Sequence, residues 1–233
     1  YGDHRDLHLS IRRQRQMCIR DRYYLAENLE KRSLEFIKNI MSTTGANKEV
    51  AKKEVETSIS RLFSYAAWAD KFDGSARSVP LKAIALVMNE AIGNCSVICD
   101  DRYPLLGFIS AMAPLFATGN RSIIIPSEPF SPIVTDFYQV LDTSDVPPGT
   151  VNILTGKHTD LALELASHMD IESVWSFSTS DVSRDIEKAS VSNLKRTWVS
   201  NGEKRDWYDE ESQGIQFLTN SIENKTIWIP YGE

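Results

Sequence analysis

Ala117-Thr118-Gly119-Asn120-Arg121-Ser122-Ile123-Ile124-Ile125-Pro126-Ser127-Glu128 is the stretch from which the architecture of this chain can be worked out. It spells the end of a helix, a tight turn, a buried strand and a loop. Gly119-Asn120 can take the positive φ needed to leave a helix. Ile123 to Ile125 is a β-branched run suited to a strand covered on both faces, and Pro126, with no N–H to give, ends the ladder. Helical patterns flank the run on both sides, as in the repeating unit of an α/β sheet. One such unit is common to many folds, and only further units in register single out an architecture.

Further units are present. An apolar helix is expected over residues 104–116, then the strand at 122–125, a helix at 131–141, and a strand at 151–154 led in by Val146-Pro147-Pro148-Gly149. A helix at 157–169, a strand at 173–177, a helix at 181–189 and a strand at 196–200 continue the alternation. Repeated strand, helix, strand of this kind builds a doubly wound, mostly parallel sheet.

Upstream, residues 23–41 carry Leu25, Leu29, Leu34, Ile37, Ile40 and Met41 at helical spacing, with Gly45 as the stop. A second long helix, residues 48–72, is expected to bury Val50, Val55, Ile59, Leu62, Phe63, Ala66 and Trp68, with Tyr65 and Trp68 as core aromatics. Short β-prone pieces follow at 83–87 and, after Gly93-Asn94, at 96–99; the tail reads as a helix at 209–222 and a strand at 226–229 stopped by Pro230.

Composition limits the function classes. The chain has 233 residues and a formal net charge of -6, which argues against a general affinity for nucleic acid or an anionic membrane surface. No apolar run approaches the roughly 20 residues of a membrane span, and no apolar signal peptide is seen. The three cysteines, Cys18, Cys95 and Cys99, fit a reducing, cytoplasmic setting better than a disulfide framework. Cys95 and Cys99 lack a second Cys/His pair at metal spacing and read as buried free thiols, so no metal is expected. Asn94-Cys95-Ser96, Asn120-Arg121-Ser122 and Asn224-Lys225-Thr226 match the glycosylation pattern and are taken as chance.

Residues 1–22 stand apart, with six arginines, no lysine and two of the four histidines. A basic arm or a nucleic-acid contact are two readings of such a segment. A third is favoured, because Arg13-Gln14-Arg15-Gln16-Met17-Cys18-Ile19-Arg20-Asp21-Arg22 resembles translated sequencing-adapter text. The segment is accordingly set apart as a non-native or disordered arm, leaving residues 23–233 as one domain.

Several runs now resemble the NAD(P)-dependent aldehyde dehydrogenases, in their nucleotide-binding half. Residues 104–120 look like the family's helix and turn, and Pro126-Ser127-Glu128 like the end of its lysine-proline-serine-glutamate loop. Pro147-Pro148-Gly149-Thr150-Val151-Asn152-Ile153 resembles its proline-to-asparagine strand, with Gly156 following. Residues 174–186 fall on its phenylalanine-threonine-glycine-serine segment, and residues 192–196 lie where it approaches its glutamate-leucine-glycine-glycine strand. The resemblance covers residues 23 to about 204. It implies a Rossmann-like fold, a cofactor of NAD or NADP, and cofactor-binding positions at Ser127, Glu128, Ser178 and Ser183.

The departures matter as much. The family's oxyanion-donating asparagine falls in Asp100-Asp101-Arg102, where Arg102 replaces the amide, and its ribose-binding lysine falls on Ile125, which has no donor. Ser178 and Ser183 replace the two glycines beneath the pyrophosphate; their hydroxyls can donate, but their side chains hinder close approach of phosphate. The general-base glutamate falls on Ser200, and no cysteine follows Cys99, although the family's nucleophile lies downstream. No catalytic residue is therefore assigned. His158 and His168 are expected to be exposed helix residues, and Asp100-Asp101 a solvated loop with an ion pair to Arg102.

The resemblance is greatest to the second, incomplete domain of the two-domain branch, family sixteen, through residues 98–106 and 226–233. It implies a non-catalytic, structural role beside a complete aldehyde dehydrogenase domain in the same or another chain, and a homo-oligomer. Two alternatives stay open: a fragment of a working dehydrogenase truncated before its catalytic half, and a nucleotide sensor.

Overall fold

The computed structural model describes residues 20–231. Helix α1 occupies residues 20–31 and is separated from α2 (Ser33–Thr44) by a single turn residue, Arg32. The one helix expected over 23–41 is thus two. The break turns Leu34 outward, 71% exposed, while Leu25, Leu29, Phe36 and Ile40 are fully buried. Arg20 to Arg22 belong to α1: Asp21 is buried, and the Arg22 guanidinium donates to the Phe116 carbonyl at 2.7 Å and lies 5.0 Å from the Phe116 ring centroid. The remainder of the segment set apart in the sequence, residues 1–19, lies outside the described residues.

Gly45 ends α2 as expected, with φ 74° and its N–H bonded to the Met41 carbonyl. Helix α3 (Lys48–Lys71) starts at Asn47, whose side chain accepts from the Val50 N–H. It buries Val55, Ile59, Leu62, Tyr65 and Ala66. Val50 and Trp68 are exposed, contrary to the expected stripe. The apolar stripe shifts because α3 also buries Glu54, Ser58 and Arg61, polar positions that periodicity alone assigns to solvent.

Five strands form a parallel sheet in the order β5-β4-β3-β6-β7. They are β3 (Asn94–Ile98), β4 (Arg121–Ile125), β5 (Val151–Ile153), β6 (Ser173–Ser176) and β7 (Arg196–Val199). The crossovers are α4 (Pro104–Ala117), α5 and α6 (Ser131–Thr135, Phe137–Asp142), α7 (His158–Ser167) and α8 (Ser180–Ser190). Successive strand residues feed opposite cores. Val97, Ile124 and Trp175 pack with α3 and α4, whereas Ile98, Ile125 and Val174 pack with α7 and α8. This is the doubly wound sheet expected, and all 14 residues of α4 are buried in its larger core.

A second sheet was not anticipated. Strands β1 (Ser75–Ser78), β2 (Ala83–Ala91) and β8 (Ile222–Pro230) are antiparallel in the order β1-β2-β8. The sequence offered 83–87 and 226–229 as strands but not their pairing, which joins Ile84 to Ile229 and Leu86 to Ile227. Gly74 permits the close approach of β2: a Cβ there would clash with the Val87 carbonyl oxygen. The tail helix resolves into a 3-10 turn (Glu210–Ser212) and α9 (Ile215–Asn220). Among the described residues no helix is long and apolar enough to cross a membrane.

Candidate functional site

All five parallel strands end on one edge of their sheet, and the polar residues nominated from the sequence lie in the loops and helix starts there. The chain leaves β3 toward β4 on one side and later enters β6 on the other. Crossovers therefore diverge between β3 and β6, where open α/β sheets form a crevice. A cavity of about 320 Å³ lies there, lined by Asp100, Asp101 and Arg102 after β3, Ser178 and Thr179 after β6, and Gly202 to Lys204 after β7.

The loops at this edge are bonded to one another. Asp100 receives Arg102 through Nη2 at 2.5 Å, Nε at 3.3 Å and the backbone N–H at 3.0 Å, and Trp207 Nε1 at 3.3 Å. That hydrogen bonding raises the Arg102 pKa and commits the guanidinium. Asp101 joins β3 to β4: its carbonyl accepts from Ser127 Oγ at 3.3 Å, and its carboxylate from the Glu128 N–H at 2.8 Å. Glu128 accepts from the His158 N–H at 2.9 Å, placing a carboxylate at the start of α7, where the helix dipole favours it.

His158 is the residue the sequence reading misplaced. Expected on an exposed helix face, it is 4% exposed and points into the edge. Nε2 is 2.8 Å from the Pro126 carbonyl, which can only accept, so Nε2 carries the proton and donates. Nδ1 lies 3.3 Å from Ser178 Oγ. The only signal in the sequence was position: a histidine two residues past Gly156, where a strand end turns into a helix. His168 is exposed, as expected.

Ser127, Glu128 and Ser178 are thus gathered around Asp101 and His158, with Ser127 fully buried. Ser183 is not gathered with them. It lies in the first turns of α8, wholly buried, its N–H bonded to the Thr179 carbonyl and its hydroxyl without a partner among the described residues. Ser200 Oγ donates to the Ser178 carbonyl at 3.4 Å, and Ile125 is fully buried against α7 and α8. Cys95 and Cys99 are buried free thiols, as expected. Burial pushes Cys95 up to about 12 and Cys99 higher still, so neither is a thiolate near neutral pH.

A crevice at the switch point of a parallel sheet, bordered by helix starts, defines a doubly wound domain of the nucleotide-binding type. A profile of the Aldehyde dehydrogenase family matches residues 11–208, and the chain belongs to that family. An aldehyde dehydrogenase of Agaricus bisporus is 29% identical over 214 residues, covering 90% of this chain and 41% of the relative. Cytosolic aldehyde dehydrogenase 1 of Mus musculus is 32% identical over 152 residues, covering 65% of this chain and 30% of the relative. Among solved structures, PnpE in complex with nicotinamide adenine dinucleotide is 27% identical with a TM-score of 0.76, covering 81% of this chain and 39% of PnpE. The chain therefore spans about two fifths or less of the length of these relatives.

Proposed function

We propose that this chain is a non-catalytic, structural domain of the aldehyde dehydrogenase family that acts in assembly beside a complete family domain, in the same or another chain, like the incomplete second domain it resembles. One observation carries the reading: the side chains nominated to hold a dinucleotide bond to the protein itself. Glu128 caps α7, Ser178 faces His158, and Ser127 is sealed against Asp101. The imidazole of His158 lies between Pro126 and Ser178, and the buried hydroxyl of Ser183 adds bulk without a donor at the surface. Bonded in this way, these residues do not fit NAD or NADP. The buried thiols Cys95 and Cys99 supply no nucleophile, and they suit a cytoplasmic, reducing setting.

The β1-β2-β8 sheet supports the assembly role. Ile84 and Met88 on β2, and Ile227, Trp228 and Ile229 on β8, are each more than a third exposed, and β1 and β8 are edges open to further pairing. A homo-oligomer or a complex with a complete family domain would cover them. The second reading, a piece of a working NAD(P)-dependent dehydrogenase, is favoured by the chain's coverage of only 39% of PnpE, which was crystallised with the dinucleotide.

The full chain is titrated with NADH while energy transfer from its five tryptophans to the nicotinamide is followed. No binding up to millimolar cofactor is expected. Saturable binding in the micromolar range would overturn the structural reading in favour of a sensor or a truncated enzyme. Sedimentation should show an oligomer that Trp228→Lys disperses; a monomeric wild-type chain would leave assembly to the complete domain as partner.

A further inference from the structure

Residues 200–214 lead from β7 to α9 and close over a cluster of aromatic rings, of which Phe177 also lines the 320 Å³ crevice. Phe177 and Trp198 lie 5.4 Å apart, Trp198 and Phe217 4.9 Å, and Phe177 and Trp207 5.1 Å between centroids. The Arg205 guanidinium sits among them, 5.7 Å from the centroids of Phe177 and Trp198 and 5.4 Å from that of Phe217. Its Nη1 donates to the Glu211 carbonyl at 3.2 Å, and among the described residues no carboxylate is paired with it. Ring faces carry negative potential, so this cation is held chiefly by an aromatic cage.

Beside the cage opens a cavity of about 450 Å³, a volume typical of small-ligand sites. Phe177 and Trp198 form its apolar wall, and Glu203, Asp206, Asp209 and Glu211 supply four carboxylates against Lys204 and Arg205. Asp206 and Asp209 each use one oxygen to accept a nearby backbone N–H, while neither Glu203 nor Glu211 has a side-chain ion pair among the described residues. An anionic ligand would face that excess of carboxylates.

We propose that this cavity binds a small organic cation, an alkylammonium or alkylguanidinium, with Arg205 as the internal occupant that such a ligand displaces from the aromatic cage. Three features converge on that class: rings that already hold a guanidinium, an adjoining space of ligand size, and a carboxylate-rich wall. Arg205 is half-buried, on a segment without regular structure, so its side chain can leave for solvent while the main chain stays anchored by Arg61 to the Trp207 carbonyl.

The test uses the full chain, with tryptophan fluorescence followed during separate titrations with agmatine and tetramethylammonium, each against sodium chloride at equal ionic strength. Both cations should give a saturable change in the millimolar range that sodium chloride does not. Arg205→Ala, which empties the cage, should tighten binding about fivefold, the weight of one moderately exposed cation–π contact. Glu203→Gln with Glu211→Gln, both away from the core, should weaken it about as much with an unchanged unfolding midpoint. Absence of a saturable change in both wild type and Arg205→Ala overturns the proposal. So does binding that neither set of substitutions alters. The result is separable from the NADH titration, because neither probe carries a nucleotide.

Discussion

Replacing Glu54 should alter both the stability of this fold and its dependence on pH. Helix α4 begins at Tyr103, which has φ 52° and no side-chain cap, and Pro104 occupies the first turn. The missing cap comes from another helix: Glu54 of α3 accepts from the Leu105 N–H at 2.9 Å and the Leu106 N–H at 3.2 Å, 2% exposed. Burial raises its pKa from 4.5 to about 7, outweighing the two N–H donors that favour the charged form. The folded protein therefore keeps this proton up to about pH 7, while the unfolded chain releases it near 4.5. Between those values the folded state binds more protons, so stability is greatest below 4.5, falls as pH rises through the window, and levels off above about 7. The gap corresponds to about 3 kcal/mol, an order-of-magnitude figure.

Glu54→Gln keeps an oxygen for both N–H groups and removes the ionisation. In urea unfolding it should match wild type at about pH 4 and exceed it by about 3 kcal/mol at about pH 8. Glu54→Ala strands two buried donors and should lose about 2 to 5 kcal/mol at about pH 5. The comparison of wild type with Gln cancels titrating groups that do not sense Glu54; Tyr208 does sense it, but its pKa is raised by burial and then by Glu54, so it stays neutral across the window. Parallel curves for wild type and Gln across the window would refute the reasoning, because Glu54 would then not ionise there.

Arg61, 1% exposed, donates to Ser110 Oγ and to the carbonyls of Trp207 and Asp209, and burial lowers its pKa to about 10, leaving it charged near neutrality. Arg61→Met should cost about 2 to 4 kcal/mol and render residues 206–214 susceptible to limited proteolysis; wild-type resistance there would argue against the anchor. With Cys18 replaced by Ser, Cys95 and Cys99 should resist a thiol reagent at about pH 8 until the chain unfolds, and rapid labelling of folded protein would contradict their burial.

Much of this architecture was legible because it is written locally. The run from Ala117 to Glu128 became the end of α4, a turn with Gly119 at φ 86°, and β4 ending at Ile125. β-branched runs, capping glycines and apolar helical spacing act over a few residues and survive as sequence pattern. The family motifs likewise depended on order and spacing, and their serine and isoleucine replacements could be read directly.

The tertiary structure decided what depends on distant partners. His158 looked like a surface residue until folding brought Pro126 and Ser178 within bonding distance of its ring. Asp101 joined two strand ends, Glu54 became the cap of a helix 51 residues downstream, and Arg205 found its cage of rings just after β6, in β7 and in α9. The pairing of β2 with β8 joins residues such as Ile84 and Ile229 that no local pattern connects. Sequence alone determined most of the elements and the doubly wound alternation from residue 94 onward, because propensity and apolar periodicity are local. Which polar groups are buried, whom they bond and where charge sits were decided only when packing withdrew them from water, since an unpaired group there is costly.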